Sequence, residues 1–151
     1  MECEKTITLK EIIEHFNLEV LADGNLNQAL HKNEIYRSGY ELTGFFSKDA
    51  VELKSAIHVM GARESRYLSR ICQKKKREIL EKYFSYPFPA MVLSSKVADH
   101  KLLIEVAKEK NKVILKCNMR ATKFIKELNF YLKNALGREA LSLIHIWRCR
   151  R

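Results

Sequence analysis

Gly61-Ala-Arg-Glu-Ser65 is the stretch best suited to hold a ligand. It follows an apolar run and opens a helix-like segment, so its free amides would point at whatever sits above the helix start. That geometry favours anions. Glu64 would repel an anion, however, and its expected work is to stabilise the helix N-terminus. His58 lies in the middle of the preceding apolar run, and no His, Cys or acidic residue is spaced to complete a metal site with it. Packing, or half-exposure, is its expected state. Lys74-Lys-Lys-Arg77 is the densest basic cluster. With Glu78 and Glu81 nearby it reads as the solvated face of an amphipathic helix, because the interleaved aromatics that would stack on nucleic-acid bases are missing. Arg37 and Glu41 flank Gly39 and read either as a structural turn pair or as a contact with a partner surface.

The missing chemistry is equally informative. The five glycines are Gly24, Gly39, Gly44, Gly61 and Gly137, and none precedes a lysine. No Gly-x-x-x-x-Gly-Lys-Ser/Thr loop can therefore cradle the β- and γ-phosphates of a nucleotide. No residue of this chain is expected to be catalytic, cofactor-binding or metal-binding.

The elements that must position these residues follow from periodicity and punctuation. Thr8-Leu-Lys-Glu11 has the form of a capping box, and Leu9, Ile12, Ile13 and Phe16 recur behind it at helical spacing up to Asn17. Leu18 to Ala22 reads as a strand stopped by Asp23-Gly24, and Glu34 to Arg37 as a second. Residues 25–33 are polar and have no clear period. Val51 and Leu53 suit a short turn of helix. Ala56 to Met60 is a third strand, followed by helices over about Arg63 to Ile71 and Gln73 to Phe84, the latter with Ile79, Leu80, Tyr83 and Phe84 on one face. Tyr86-Pro-Phe-Pro89 breaks the chain. Ala90 to Ser94 is a continuous apolar run, as in a strand covered on both faces. Then come a helix over Asp99 to Lys110, a strand over Lys112 to Cys117, and a last helix over Ala121 to Leu136 that buries Phe124, Leu128 and Leu132. Gly137 would end it. Strands alternating with helices imply right-handed crossovers and a single α/β domain around a mostly parallel sheet of about five strands.

The 151 residues suit one domain, and no apolar run approaches the ~18 residues that cross a bilayer. The polar start Met1-Glu-Cys-Glu-Lys5 does not read as a signal peptide. Four scattered cysteines fit a reducing, cytoplasmic setting better than a disulfide framework. The formal charge of +10 invites a nucleic-acid reading. The closing run Leu141-Ser-Leu-Ile-His-Ile-Trp-Arg-Cys-Arg-Arg151, though, matches the translation of a transposase adapter whose TGA codon is read as tryptophan. Such a scar is set aside in fold reasoning. Without it 25 bases face 18 acids, a charge of +7, which a lysine-rich domain carries without a nucleic-acid partner. The expected organisation is a domain over 1–137, the start of a linker over 138–140, and a foreign tail over 141–151.

Ile35-Tyr-Arg-Ser-Gly-Tyr-Glu-Leu-Thr-Gly-Phe-Phe46, with the strand, glycine and helix of residues 55–68, resembles the N-terminal domain of the HPr kinase/phosphorylase family. That family favours Arg-Pro-Gly, then Leu-x-Gly-aromatic-aromatic, then a strand ending in Gly and a helix carrying Glu. Arg37, Gly39, Leu42, Gly44, Phe45, Gly61 and Glu64 match; Ser38 stands where the family favours proline. Arg37, Gly39, Gly44, Gly61 and Glu64 are then a structural motif, not a catalytic one. The resemblance extends over about Thr6 to Leu136. It implies a fold similar to the N-terminal domain of the Mur ligases and a kinase domain that follows in sequence, so this chain is expected to be a fragment. By the same resemblance the whole protein phosphorylates a serine of the phosphocarrier HPr with ATP and magnesium, removes that phosphate, and assembles as a homohexamer. His145 sits near the distance of the family's catalytic histidine, but it precedes Ile146 rather than glycine and lies in the foreign tail.

The alternative from another class is a free-standing α/β module that binds a small, nucleotide-sugar-like ligand. A basic nucleic-acid-binding module ranks third. The first two differ in whether a phosphate loop follows residue 140.

Overall fold

The computed structural model describes residues 6–30, 35–37, 56–97 and 100–136. The expected turn over Gly39 and Gly44, Glu41, the short helix at Val51 and Leu53, the stop at Gly137 and the tail over 141–151 lie outside these residues.

The first helix begins as its cap dictates. Two-residue β1 (Ile7–Thr8) leads into α1 (Leu9–Phe16), where the Thr8 hydroxyl accepts the Glu11 amide at 3.2 Å and the Glu11 carboxylate accepts the Thr8 amide at 2.8 Å. Asn17 closes the helix in the left-handed region, at φ 55°. Asparagine tolerates that conformation because its short amide bonds locally. Then follow β2 (Glu19–Ala22), β3 (Ala29–Leu30), β4 (Ile35–Arg37) and β5 (Ile57–Met60). The second half contains α2 (Ala62–Ser69), α3 (Gln73–Tyr83), β6 (Ala90–Leu93), α4 (Lys101–Glu109), β7 (Val113–Lys116) and α5 (Ala121–Leu136).

The main sheet has five strands in the order β2-β7-β6-β5-β4. Strands β4 to β7 run parallel and only β2, on the edge beside β7, is antiparallel. The side chains alternate as a sheet covered on both faces requires. Val59, Val92 and Leu115 enter one core with Leu9 and Ile12 of α1 and Phe124, Leu128 and Leu132 of α5. Met60, Met91, Leu93 and Ile114 enter a second core with Leu68 of α2, Leu80 and Tyr83 of α3, and Val106 of α4. The result is three layers, helix on sheet on helix.

Two findings differ from the sequence reading. Strands β1 and β3 pair as a small antiparallel sheet, Ile7 with Leu30 and Thr8 with Ala29, inside a region expected to be irregular on its C-terminal side. Lys76 is buried rather than solvated, although Lys74 and Lys75 of the same cluster are exposed. Its place on α3 turns it inward, and a long aliphatic stem suits such a position. Arg77 is drawn into ion pairs with Glu81 at 3.4 Å and Glu109 at 2.7 Å.

Candidate functional site

The parallel strands end on one side of the sheet, and the residues after them meet there. Arg37 closes β4, Gly61 joins β5 to α2, Ser94 and Lys96 follow β6, and Arg120 precedes α5. A cleft of about 460 Å³ opens between them, lined by Arg37, Arg63, Arg66, Ser94, Lys96 and Arg120 with Ala62, Ala121 and Thr122. A crevice outside the carboxyl ends of the strands is where open α/β sheets bind ligands. Its described lining contains five cations and no carboxylate.

Glu64 stands just behind this lining and is fully engaged. One carboxylate oxygen accepts the Gly61 amide at 3.0 Å; the other pairs with the Arg37 guanidinium, Oε2 to Nε, at 3.2 Å. Arg37 also donates to the Thr122 hydroxyl at 3.4 Å, so β4, α2 and α5 are tied together at one corner. Among the described residues the ion-pair partner of Arg37 is thus Glu64, on another element. Gly61 is needed for space. Its φ of −109° is open to any residue, but a Cβ there would stand 2.6 Å from Arg37 Nη2, 3.0 Å from Ala121 Cβ and 3.2 Å from Glu64 Oε1. Gly61→Val is expected to destabilise the domain by about 2 kcal/mol and to loosen the Arg37–Glu64 pair. Chemical denaturation of both proteins checks this; equal midpoints would show that the corner yields without cost.

At the two helix starts that line the cleft, the N-cap residues carry no side-chain acceptor. Gly61 has no side chain with which to cap α2, and Arg120, whose carbonyl accepts the Phe124 amide at 2.9 Å, carries only donors. The Ser94 hydroxyl is buried, with the residue 1% exposed, and has no hydrogen-bond partner among the described residues. Of the cleft residues, the sequence reading singled out Arg37 and the Gly61–Ser65 turn but missed Ser94, Lys96 and Arg120. A usable signal existed, since each follows the C-terminal end of a strand in a parallel sheet.

The other singled-out residues lie elsewhere. His58 is fully buried on the opposite core, its Nδ1 2.6 Å from the Tyr83 hydroxyl and its ring stacked on Phe88 at 4.0 Å. Lys112, just before β7, donates to the carbonyls of Tyr86 at 2.6 Å and Phe88 at 3.0 Å and sits 4.1 Å over the Phe88 ring. Burial lowers its pKa to about 8. Cys117 is buried, which pushes its thiol pKa up. Among the described residues, no cluster of three or more His, Cys, Asp or Glu could hold a metal ion.

Comparison with known proteins fits this architecture. The family described as HPr Serine kinase N terminus matches residues 7–132. A putative HPr kinase/phosphorylase of Fusobacterium nucleatum is 33% identical over 132 residues, covering 87% of this chain and 22% of that protein. The HPr kinase/phosphorylases of Clostridium perfringens and Clostridium acetobutylicum are each 29% identical over 133 residues, 88% of this chain and 42% and 43% of theirs. The chain thus spans less than half the length of these relatives. Among solved structures, the regulatory region of Clostridium perfringens pyrophosphatase, with CBS and DRTGG domains and bound diadenosine tetraphosphate, superposes with a TM-score of 0.51. That match covers 81% of this chain and 45% of that one at 14% identity, so it speaks for the fold alone. With a family match running from β1 into α5, the chain belongs to the HPr serine kinase N-terminal family.

Proposed function

We propose that this chain is the N-terminal, non-catalytic domain of a bifunctional HPr kinase/phosphorylase. The observation that carries the reading is the family match over residues 7–132, shared with relatives more than twice as long as this chain. The parent protein would phosphorylate a serine of HPr with ATP, remove that phosphate, and so couple carbon metabolism to the state of the phosphocarrier. HPr and further copies of the parent, in a hexamer, would be its partners, in the cytoplasm. Among the described residues no helix is long and apolar enough to cross a membrane.

The residues present do not fit ATP and magnesium. The sequence holds no phosphate loop, and the described lining of the cleft offers no carboxylate to a metal. Phosphoryl transfer needs both, together with a base at the acceptor. Nucleotide chemistry is therefore assigned to a following kinase domain. In this reading Arg37, Gly61 and Glu64 are structural, as are Gly39 and Gly44 outside the described residues, and 141–151 is no part of the domain. The likeness to Mur ligase N-terminal domains belongs to the same reading.

Sequencing the original locus tests it. A His-Gly pair and then a Gly-x-x-x-x-Gly-Lys-Ser/Thr loop are expected within a few tens of codons after Ala140. A natural stop near that codon would sink the kinase assignment and favour the free-standing ligand-binding module.

A further inference from the structure

The cleft at the strand ends is built for an anion. We propose that it binds the phosphate group of a small molecule, held by Ser94, Lys96 and Arg120 between the starts of α2 and α5. The site concerns this domain alone, so its failure would leave the family reading untouched.

Three observations converge on phosphate, and one objection to it falls. Arg63, Arg66, Lys96 and Arg120 line the cleft, and its described lining holds no carboxylate to neutralise them. Guanidinium groups match the oxygens of phosphate two at a time. The first residues of α2 and α5, Ala62 and Arg63, Ala121 and Thr122, line the same cleft, and their N-cap residues, Gly61 and Arg120, supply no side-chain acceptor. In α1 that work is done within the chain by Thr8 and Glu11. Ser94 lines the cleft, and its buried hydroxyl is a donor with no partner among the described residues. Buried hydroxyls are nearly always bonded, and a phosphate oxygen would complete this one. Finally, the objection raised by Glu64 is met by geometry, because both its oxygens are committed, to the Gly61 amide and to Arg37.

A small molecule suits the cleft better than a polymer. Its volume of about 460 Å³ falls in the range of small-ligand sites. None of the described lining residues is aromatic, so no platform for stacking successive bases exists. The recognised chemistry is a phosphate dianion, supplied either as free phosphate or as an organic phosphate ester.

Amide NMR spectra of the purified 151-residue chain, titrated at constant ionic strength with inorganic phosphate, glucose 6-phosphate and UMP, test the proposal. Saturable shifts at the amides of Arg63, Ser94 and Thr122 are expected. Ser94→Ala and Arg120→Gln should each weaken binding about tenfold, while Lys75→Gln on α3 should leave it unchanged. Tighter binding of either ester than of inorganic phosphate supports the site with an ester as ligand; the reverse order supports it with free phosphate. Absence of saturation up to about 10 mM of all three would overturn the proposal. So would shifts that persist in the Ser94→Ala, Arg120→Gln double variant. A phosphoserine peptide binding more tightly than all three would overturn the small-molecule assignment.

Discussion

Phe124→Ala is expected to cost about 3–5 kcal/mol of folding stability, the range for deleting a fully buried phenylalanine. Phe124 is wholly inaccessible and lies in the core between α5 and the sheet, with Phe16 of α1 edge-on at 5.3 Å. Its loss would open a cavity that the close-packed Leu128, Leu132, Val92 and Leu115 cannot fill without shifting. The site should suffer as well. Phe124 is one turn into the helix whose start carries Arg120 and Thr122, so a loosened α5 displaces both from the cleft. Denaturant unfolding checks the first effect. A loss under about 1 kcal/mol, at the bottom of the mutational range, would show that α5 is not packed as described.

The second large effect concerns pH. The Lys112 pKa lies near 8 in the fold, because burial penalises the ammonium, against 10.5 for the free group. Below pH 8 both the folded and unfolded chains hold this proton, and the cost of burying the charge is fully present. Between pH 8 and 10.5 the folded chain releases the proton while the unfolded chain keeps it. The unfolded state then binds more protons, so the contribution of this group to stability rises with pH. At about 1.4 kcal/mol per pH unit, the gain across that window is bounded at roughly 3 kcal/mol, and solvent screening of the ammonium lowers it. Lys112→Met removes the titration while keeping an aliphatic stem. Subtracting its stability curve from that of the parent chain over pH 7 to 10.5 isolates the group from the other lysines. The difference should grow with pH in favour of the parent; parallel curves would contradict the burial of a titrating lysine.

What the sequence disclosed, and what it hid, divides along range. Local signals were legible: the Thr8–Glu11 box, the stop at Asn17, the break at Tyr86 to Pro89 and the doubly covered run Ala90 to Leu93 all depend on neighbours a few residues apart. The missed pair of β1 and β3 has two residues per strand, too few for any period to show. Lys76 and Lys112 were hidden because lysine reads as solvent-facing, whereas their burial comes from elements distant in sequence. The cleft was hidden for the same reason. Arg37, Arg63, Ser94 and Arg120 share no motif, and only the parallel register of β4 to β7 brings them to one edge. Resemblance reached Arg37, Gly61 and Glu64 as a pattern; the geometry supplies the physical content, an ion pair and a glycine that leaves room for it.

Mixing the purified 151-residue chain with HPr, magnesium and ATP labelled in the γ-phosphate shows whether this domain itself transfers phosphate. Because the chain has neither a phosphate loop nor, in the described lining of its cleft, a carboxylate for the metal, HPr should remain unlabelled however long the incubation. Label on a serine of HPr that scales with the amount of chain added would show that the domain is catalytic.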